Sequence, residues 1–119
     1  MTLEQCYAVF GGDYTGVMSR LRSERLVQKF LMKFLADPSF QNLQNAMAEK
    51  NREEAFRASH TLKGLCLNMG FTKLGDSSHR LTEALRDEWK PEAEALFAEV
   101  TADYTETAAA VRALEGAEG

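Results

Sequence analysis

Apolar residues recur every three or four positions over most of this chain, which is the spacing of one face of an α-helix. A strand pattern would instead alternate apolar and polar residues, and neither sustained alternation nor an Asn-Gly or Asp-Gly hairpin turn occurs. The apolar segments are separated by residues that stop helices, namely Gly11-Gly12, Pro38, Gly70 and Pro91. The sequence therefore predicts an all-α fold.

The ends of the predicted helices are marked by residues that cap or start them. The expected N-caps are, in order, Asp13, Ser23, Asn51 and Thr72. Asn51 with Glu54 three residues later also resembles a capping box. Gly70 is expected to end its helix in a left-handed conformation, and Pro91 to lie in the first turn of the last helix.

Four of the predicted helices are long enough to form an antiparallel four-helix bundle with short loops. The extra short N-terminal helices would then cap one end of this bundle. A chain of 119 residues can bury one hydrophobic core, so residues 1–119 are expected to form a single domain.

Composition excludes several classes of function. The net charge of −4 argues against a general nucleic-acid-binding protein, which would carry a basic patch. No apolar run approaches the roughly 20 residues that a membrane span needs, and the N-terminus lacks the features of a signal peptide, so a cytoplasmic protein is expected. Cys6 and Cys66 are too few and too far apart for a metal site or a disulfide framework, and no cofactor is expected.

The helix predicted from Asn51 to Gly70 carries a histidine on the side away from its core face. At about 100° per residue, six apolar residues gather on one face of this helix: Ala55, Ala58, Leu62, Leu65, Cys66 and Met69. His60 falls roughly opposite the centre of that face. An exposed imidazole near neutral pH is substantially uncharged, so a ring nitrogen is free to attack phosphorus. The pattern favours a carrier of a phosphoryl group.

Two residues one turn after His60 fit that role. Lys63 lies at i+3 on the same side of the helix, where its ammonium can offset the charge of phosphoryl oxygens. Gly64 costs about 1 kcal/mol of helix stability relative to alanine, and its outward direction indicates that it lets a partner protein approach closely. A solvated surface lysine and a helix-packing glycine are the structural alternatives.

Two large apolar residues, Phe56 and Leu67, bracket His60 on the outward side at about i−4 and i+7. Together with Arg57 they are predicted to form the rim of a docking patch for a partner domain. Burial of Phe56 and Leu67 against the N-terminal helices is the alternative interpretation.

The segment His60-x-x-Lys63-Gly64, followed by Gly70, resembles the motif of histidine-containing phosphotransfer (HPt) domains. Residues 55–59 and the segment Phe71-x-x-Leu74 are also similar to that family, as are the chain length and the helix order. The resemblance implies a four-helix bundle that acts in a two-component phosphorelay. His60 would accept a phosphoryl group from a receiver-domain aspartate, or from a kinase, and pass it to another receiver aspartate. The implied partners are receiver domains of response regulators and a sensor histidine kinase.

The chain departs from the HPt pattern at one position. Many members carry a glutamine on the following helix whose side chain holds the imidazole, and the motif spacing places Thr82 there. A threonine hydroxyl could hydrogen-bond the ring, but its reach is short. Backbone groups or water are the alternative means of orienting His60.

A phosphocarrier rather than an enzyme is predicted, because the chain has no Gly-rich ATP loop and no second catalytic residue beside His60. A helical adaptor that binds its partner through Phe56 and Leu67 without being phosphorylated is one alternative. An enzyme with His60 as a general base is another, and it would need a carboxylate that orients the ring within a cleft.

The remaining expectations concern His79, the oligomeric state and the two ends of the chain. His79 lacks a Lys-Gly neighbour and is expected to be a solvated surface histidine, with a second phosphoacceptor or a metal ligand as alternatives. A monomer is expected, because a bundle of this size can close its own core. The Met1 start and an acidic tail at 115–119, which is expected to fray, favour a free-standing protein over the phosphoacceptor domain of a longer, chemotaxis-type kinase.

Overall fold

The computed structural model describes the backbone of residues 1–118 and the side chains of residues 1–114. Within that part the chain forms seven helices and no strand: α1 (Leu3–Val9), α2 (Tyr14–Leu21), α3 (Glu24–Ala36), α4 (Ser39–Ala48), α5 (Arg52–Met69), α6 (Thr72–Leu85) and α7 (Ala93–Glu118). Gly119 and the side chains of 115–118 lie outside the described residues, while the backbone of 115–118, where the sequence predicts a frayed tail, belongs to α7. No described helix combines the length and apolar character needed to cross a membrane.

The helices α4, α5, α6 and α7 form an antiparallel four-helix bundle, as the sequence predicts. Each packs against its neighbour in the chain, because only short connections join them. The bundle is closed between α4 and α7, where the ring of Phe40 stacks on that of Tyr104 with centroids 3.9 Å apart. The helices α5 and α7 therefore lie diagonally across the bundle.

The N-terminal helices cover the end of the bundle where α5 turns into α6. Phe71, in that turn, is surrounded by aromatic rings, with centroid distances of 5.1 Å to Phe10 and 4.8 Å to Phe34. The helix α1 also packs on α7, where the Cys6 thiol contacts the carbonyl oxygen of Ala110 at 3.5 Å. Side chains of α1 and α3 thus share one hydrophobic core with the bundle.

The C-terminal end of α5 is held by the two N-terminal helices. Gly70 ends the helix with φ of +72°, which is the left-handed conformation that the sequence predicts. The Tyr7 hydroxyl donates to the Met69 carbonyl oxygen at 2.7 Å, and the Asp13 amide donates to the Gly70 carbonyl oxygen at 2.7 Å. Arg20 donates to two further carbonyl oxygens of the last turn, those of Leu67 and Asn68. These bonds satisfy carbonyl groups that a helix end otherwise leaves without partners.

Replacement of Gly70 by alanine is expected to lower the free energy of unfolding by about 2 kcal/mol. The backbone is left-handed there, and an added Cβ would lie 2.8 Å from the Asp13 carbonyl oxygen. Urea denaturation measures the loss. Gly64→Ala is the matched control, because a Cβ at Gly64 would have no neighbour within 4 Å. Equal stability of Gly70→Ala and the wild type would show that the left-handed end is not required.

Two predicted helix starts differ from the structure. Thr72 is not the N-cap of α6, because Phe71 occupies that position. The Lys73 amide in the first turn of α6 donates to the Gly11 carbonyl oxygen, which lies in the turn between α1 and α2. The last helix begins at Ala93 and not at Pro91, because Pro91 lies in a turn closed by a hydrogen bond from the Ala93 amide to the Lys90 carbonyl oxygen.

The capping box at the start of α5 is only half formed. The Asn51 side chain accepts from the Glu54 amide, as predicted. The reciprocal bond is missing, because the Glu54 carboxylate binds Arg57 and the Asn51 amide donates to the Ala46 carbonyl oxygen. The Asn51 cap is therefore present, while local hydrogen bonds take the two groups that would complete the box.

Candidate functional site

The helix α5 buries one face and presents His60 on the other. Five of the six residues of the predicted core face are buried, and Leu65 is partly buried. His60 is exposed. The helix is anchored along its length between α4 and α6 and at its C-terminal end by α1 and α2. The imidazole is therefore accessible to a second protein but fixed to a rigid element.

The His60 ring forms one aromatic pair among the described residues. The Phe56 ring lies one turn earlier on α5, with its centroid 6.1 Å away and its plane 13° from that of the imidazole. No described residue hydrogen-bonds the imidazole, so neither ring nitrogen is occupied by a protein group. In particular, no described carboxylate is bonded to it in the manner of a general base and its orienting partner.

Lys63 and Gly64 lie one turn after His60 on α5 and differ in their exposure. Lys63 is half-buried and forms no salt bridge with a described residue, which leaves its ammonium available to an incoming anion. Gly64 is exposed, and a Cβ built on it would meet nothing within 4 Å. No packing contact of this protein therefore explains the glycine, and the packing alternative raised from the sequence has no support in the described structure.

The three residues predicted to form a docking rim are found on the same side of α5. Leu67 is the most exposed large apolar side chain described, at 64%. Arg57 is exposed and paired with Glu54 at 2.8 Å. Phe56 is only half-exposed, since it packs against the core and lies beneath the guanidinium of Arg86. Its described ring contacts are with His60 and Arg86, not with the N-terminal helices.

Thr82 does not hold the imidazole, and the expectation that it could is corrected. Its side chain is fully buried between α5 and α6, where the hydroxyl lies 3.0 Å from Ser59 Oγ and 2.7 Å from the Ser78 carbonyl oxygen. The single hydroxyl proton is engaged within the core, and Ser59 in turn bonds the Phe56 carbonyl oxygen at 3.0 Å. Thr82 thus forms a buried hydrogen bond that links α6 to α5.

The end of α6 adds a pair of charged residues that sequence reasoning missed. Arg86 donates to both carboxylate oxygens of Glu83, through Nε at 3.0 Å and Nη2 at 2.9 Å. These bonds hold the pKa of the Glu83 carboxyl below its usual value, and the ammonium of Lys63 acts in the same direction. The i, i+3 spacing of Glu83 and Arg86 predicts their pairing, but only the packing of α6 on α5 brings Arg86 over Phe56.

The other histidine, the cysteine on α5 and the possible metal ligands are further candidate reactive groups. His79 is exposed on α6. Cys66 is buried in the core face of α5, and burial raises the pKa of its thiol to about 12, so it is not a thiolate nucleophile. Among the residues that the structure describes, no group of three His, Cys, Asp or Glu side chains could hold a metal ion.

Comparison with known proteins gives one match. A sequence model of the Hpt domain family matches residues 25–113, about three quarters of the chain, and this match covers α4, α5 and α6 and most of α3 and α7. The helices α1 and α2 lie outside the match. No curated protein and no solved structure shows significant similarity to the chain. The chain belongs to the Hpt domain family, the histidine phosphotransfer carriers of phosphorelays.

Proposed function

We propose that His60 accepts a phosphoryl group from the aspartate of a receiver domain, or from a sensor histidine kinase, and passes it to a second receiver aspartate. The observation that carries the proposal is an exposed imidazole that no described residue hydrogen-bonds, on a helix anchored at its sides and its C-terminal end. A neutral imidazole in this setting has a free lone pair, and a partner's active site can reach it.

The step requires no acid or base from this protein. The lone pair of the unprotonated ring nitrogen forms the N–P bond while the P–O bond to the aspartyl carboxylate breaks. The carboxylate leaves with the bonding electron pair, and the other ring nitrogen keeps its proton, so the product is a phosphoimidazolium. Transfer to the next aspartate is the same step in reverse. Phosphoryl transfer of this kind depends mainly on positioning and on neutralising the oxygens.

Lys63 and Gly64 supply these two requirements. The Lys63 ammonium, one turn after His60 on the same side, offsets the charge of the phosphoryl oxygens. Gly64, with open space where a side chain would stand, lets the backbone of a receiver domain come close to the ring. Phe56, Arg57 and Leu67 would then form the contact surface around the acceptor.

We also propose that residues 1–119 work as a single HPt-like domain and as a monomer. Support for the single domain comes from α1 and α2, which lie outside the family match but hold the C-terminal end of the acceptor helix through Tyr7, Asp13 and Arg20. Removal of these helices would expose the aromatic cluster around Phe71.

The direct test is transfer from receiver domains loaded with acetyl phosphate. The expected product is this protein carrying one phosphoryl group that is lost in acid and stable in base, as a phosphoramidate is. Intact mass spectrometry before and after acid treatment detects it. Absence of label with a panel of receivers and with a sensor kinase would contradict the proposal and favour the unphosphorylated adaptor, for which the exposed Leu67 would be the binding contact.

Replacement of Lys63 by alanine is expected to slow phosphotransfer about tenfold, which corresponds to about 1.4 kcal/mol of lost charge stabilisation. Arginine at the same position should restore part of the rate, because it keeps the charge with a different geometry. Rapid-quench kinetics measure the rates. Lys29→Ala, which removes the same charge from an exposed position on α3, is the control. An equal effect of both alanine variants would mean that net charge alone matters.

A further inference from the structure

The open question at the site is what orients the His60 ring. The family's usual position for this task holds Thr82, which is buried and bonded to Ser59 and Ser78. No described residue hydrogen-bonds the imidazole. An exposed ring on a helix rotates freely about its side-chain bonds unless a neighbour restrains it, and each unproductive orientation lowers the rate of in-line attack.

Phe56 is the neighbour that can restrain the ring. Residues at i and i+4 on a helix face each other, and the two rings are nearly parallel, with 13° between their planes and 6.1 Å between their centroids. This is an offset stack, a favoured arrangement of aromatic pairs. The contact limits rotation of the imidazole and leaves both nitrogens unbonded.

Phe56 is itself held in place from α6. The guanidinium carbon of Arg86 lies 5.1 Å from the centroid of the Phe56 ring, within the range of a cation–π contact. Glu83 fixes the guanidinium through two hydrogen bonds. On its inner side Phe56 packs against the core. The ring thus has contacts on α5, on α6 and in the core, and is not a freely moving surface side chain.

We propose that Phe56, held by the Arg86–Glu83 pair, is the positioning residue that orients the His60 imidazole in this chain, in place of a hydrogen-bonding side chain. This inference rests on the proposed function of His60 and extends it. It also changes the role expected of Phe56, from a docking contact to a support for the acceptor ring. Arg86 acts indirectly, because it contacts the Phe56 ring and not the His60 imidazole.

Three variants separate positioning from docking. Phe56→Leu keeps the apolar volume but removes the ring, Phe56→Tyr keeps the ring, and Arg86→Gln removes the cation. Phe56→Leu is expected to lower the maximal phosphotransfer rate at saturating receiver about threefold to tenfold. The receiver concentration at half-maximal rate should change little, and Phe56→Tyr should restore the rate. Arg86→Gln should give a smaller loss, and the double variant should be no slower than Phe56→Leu alone, because both act through one contact.

A second readout does not depend on phosphotransfer. In the unphosphorylated protein, the NMR signals of the His60 ring hydrogens should carry a ring-current shift from Phe56. This shift should be lost in Phe56→Leu, retained in Phe56→Tyr and reduced in Arg86→Gln. Arg80→Gln, which removes a charge from α6 where it pairs with Glu99, is the control and should leave these signals unchanged. Urea denaturation of each variant checks that the fold is intact.

The outcomes distinguish the two proposals. If Phe56→Leu raises only the half-maximal receiver concentration, or leaves the His60 signals as in the wild type, Phe56 is a docking contact and the positioning role is overturned. If the wild type takes up no phosphoryl group, the proposed function fails, while the NMR comparison still decides whether Phe56 orients the ring.

Discussion

A chain with glutamine in place of His60 is expected to take up no phosphoryl group from any receiver domain or kinase that labels the wild type. Glutamine keeps a polar side chain of similar length on the exposed face of α5 but has no nucleophilic nitrogen. Two other groups near the site are poor substitutes, because the Cys66 thiol is buried with its pKa raised to about 12 and the hydroxyl of Thr82 is engaged in the core. Intact mass after incubation with a loaded receiver measures the loss, which should be complete.

The matched control is His79→Gln on α6, the other histidine of the chain. It removes an exposed imidazole that has no Lys-Gly neighbour, and it is expected to leave phosphoryl uptake unchanged. Residual acid-labile label on His60→Gln that disappears in the double variant would identify His79 as a second acceptor. Undiminished label on His60→Gln alone would refute the assignment of His60.

Substitution of Gly64 is expected to move stability and phosphotransfer in opposite directions. Alanine at this position should raise the free energy of unfolding by about 0.5–1 kcal/mol, because helix propensity improves and the new Cβ meets nothing within 4 Å. The same open space is what a receiver domain would occupy. Gly64→Gln should therefore lower the phosphotransfer rate roughly a hundredfold, equivalent to about 3 kcal/mol. The rate of Gly64→Ala should lie between those of the wild type and Gly64→Gln.

Ala102→Gln is the control for this series. It places the same side chain on an exposed position of α7, the helix that lies diagonally across the bundle from α5, and should leave the rate unchanged. Urea denaturation and rapid-quench transfer from a loaded receiver give the two measurements. A Gly64→Gln variant that transfers as fast as the wild type would show that no partner approaches this part of α5. A destabilised Gly64→Ala would show that the glycine serves the fold.

Local sequence signals determined most of the helices and the direction in which α5 faces. Helical periodicity depends on contacts three and four residues apart, so the core stripe of α5 and the outward position of His60 follow from the sequence by itself. The same holds for Gly70, since only glycine adopts a left-handed helix end at little cost. Asp13 and Ser23 cap their helices as predicted, because a cap acts on amides two or three residues away.

Local sequence signals did not predict the contacts that a side chain or amide makes with a segment far away in the chain. Phe71, not Thr72, is the N-cap of α6, and the Lys73 amide bonds the Gly11 carbonyl oxygen because the aromatic cluster brings the α1–α2 turn to the start of α6. Thr82 bonds Ser59, 23 positions away in the chain. The contact of Arg86 with Phe56 likewise joins α6 to α5, and no local sequence pattern around either residue predicts it.

The sequence by itself thus determined most of the helices, the outward position of His60 and the glycine beside it, all of which depend on residues within about one helical turn. Only the tertiary structure decided which groups surround His60. Those neighbours are set by how α5 and α6 pack, and the packing follows from the whole hydrophobic core and not from any single motif.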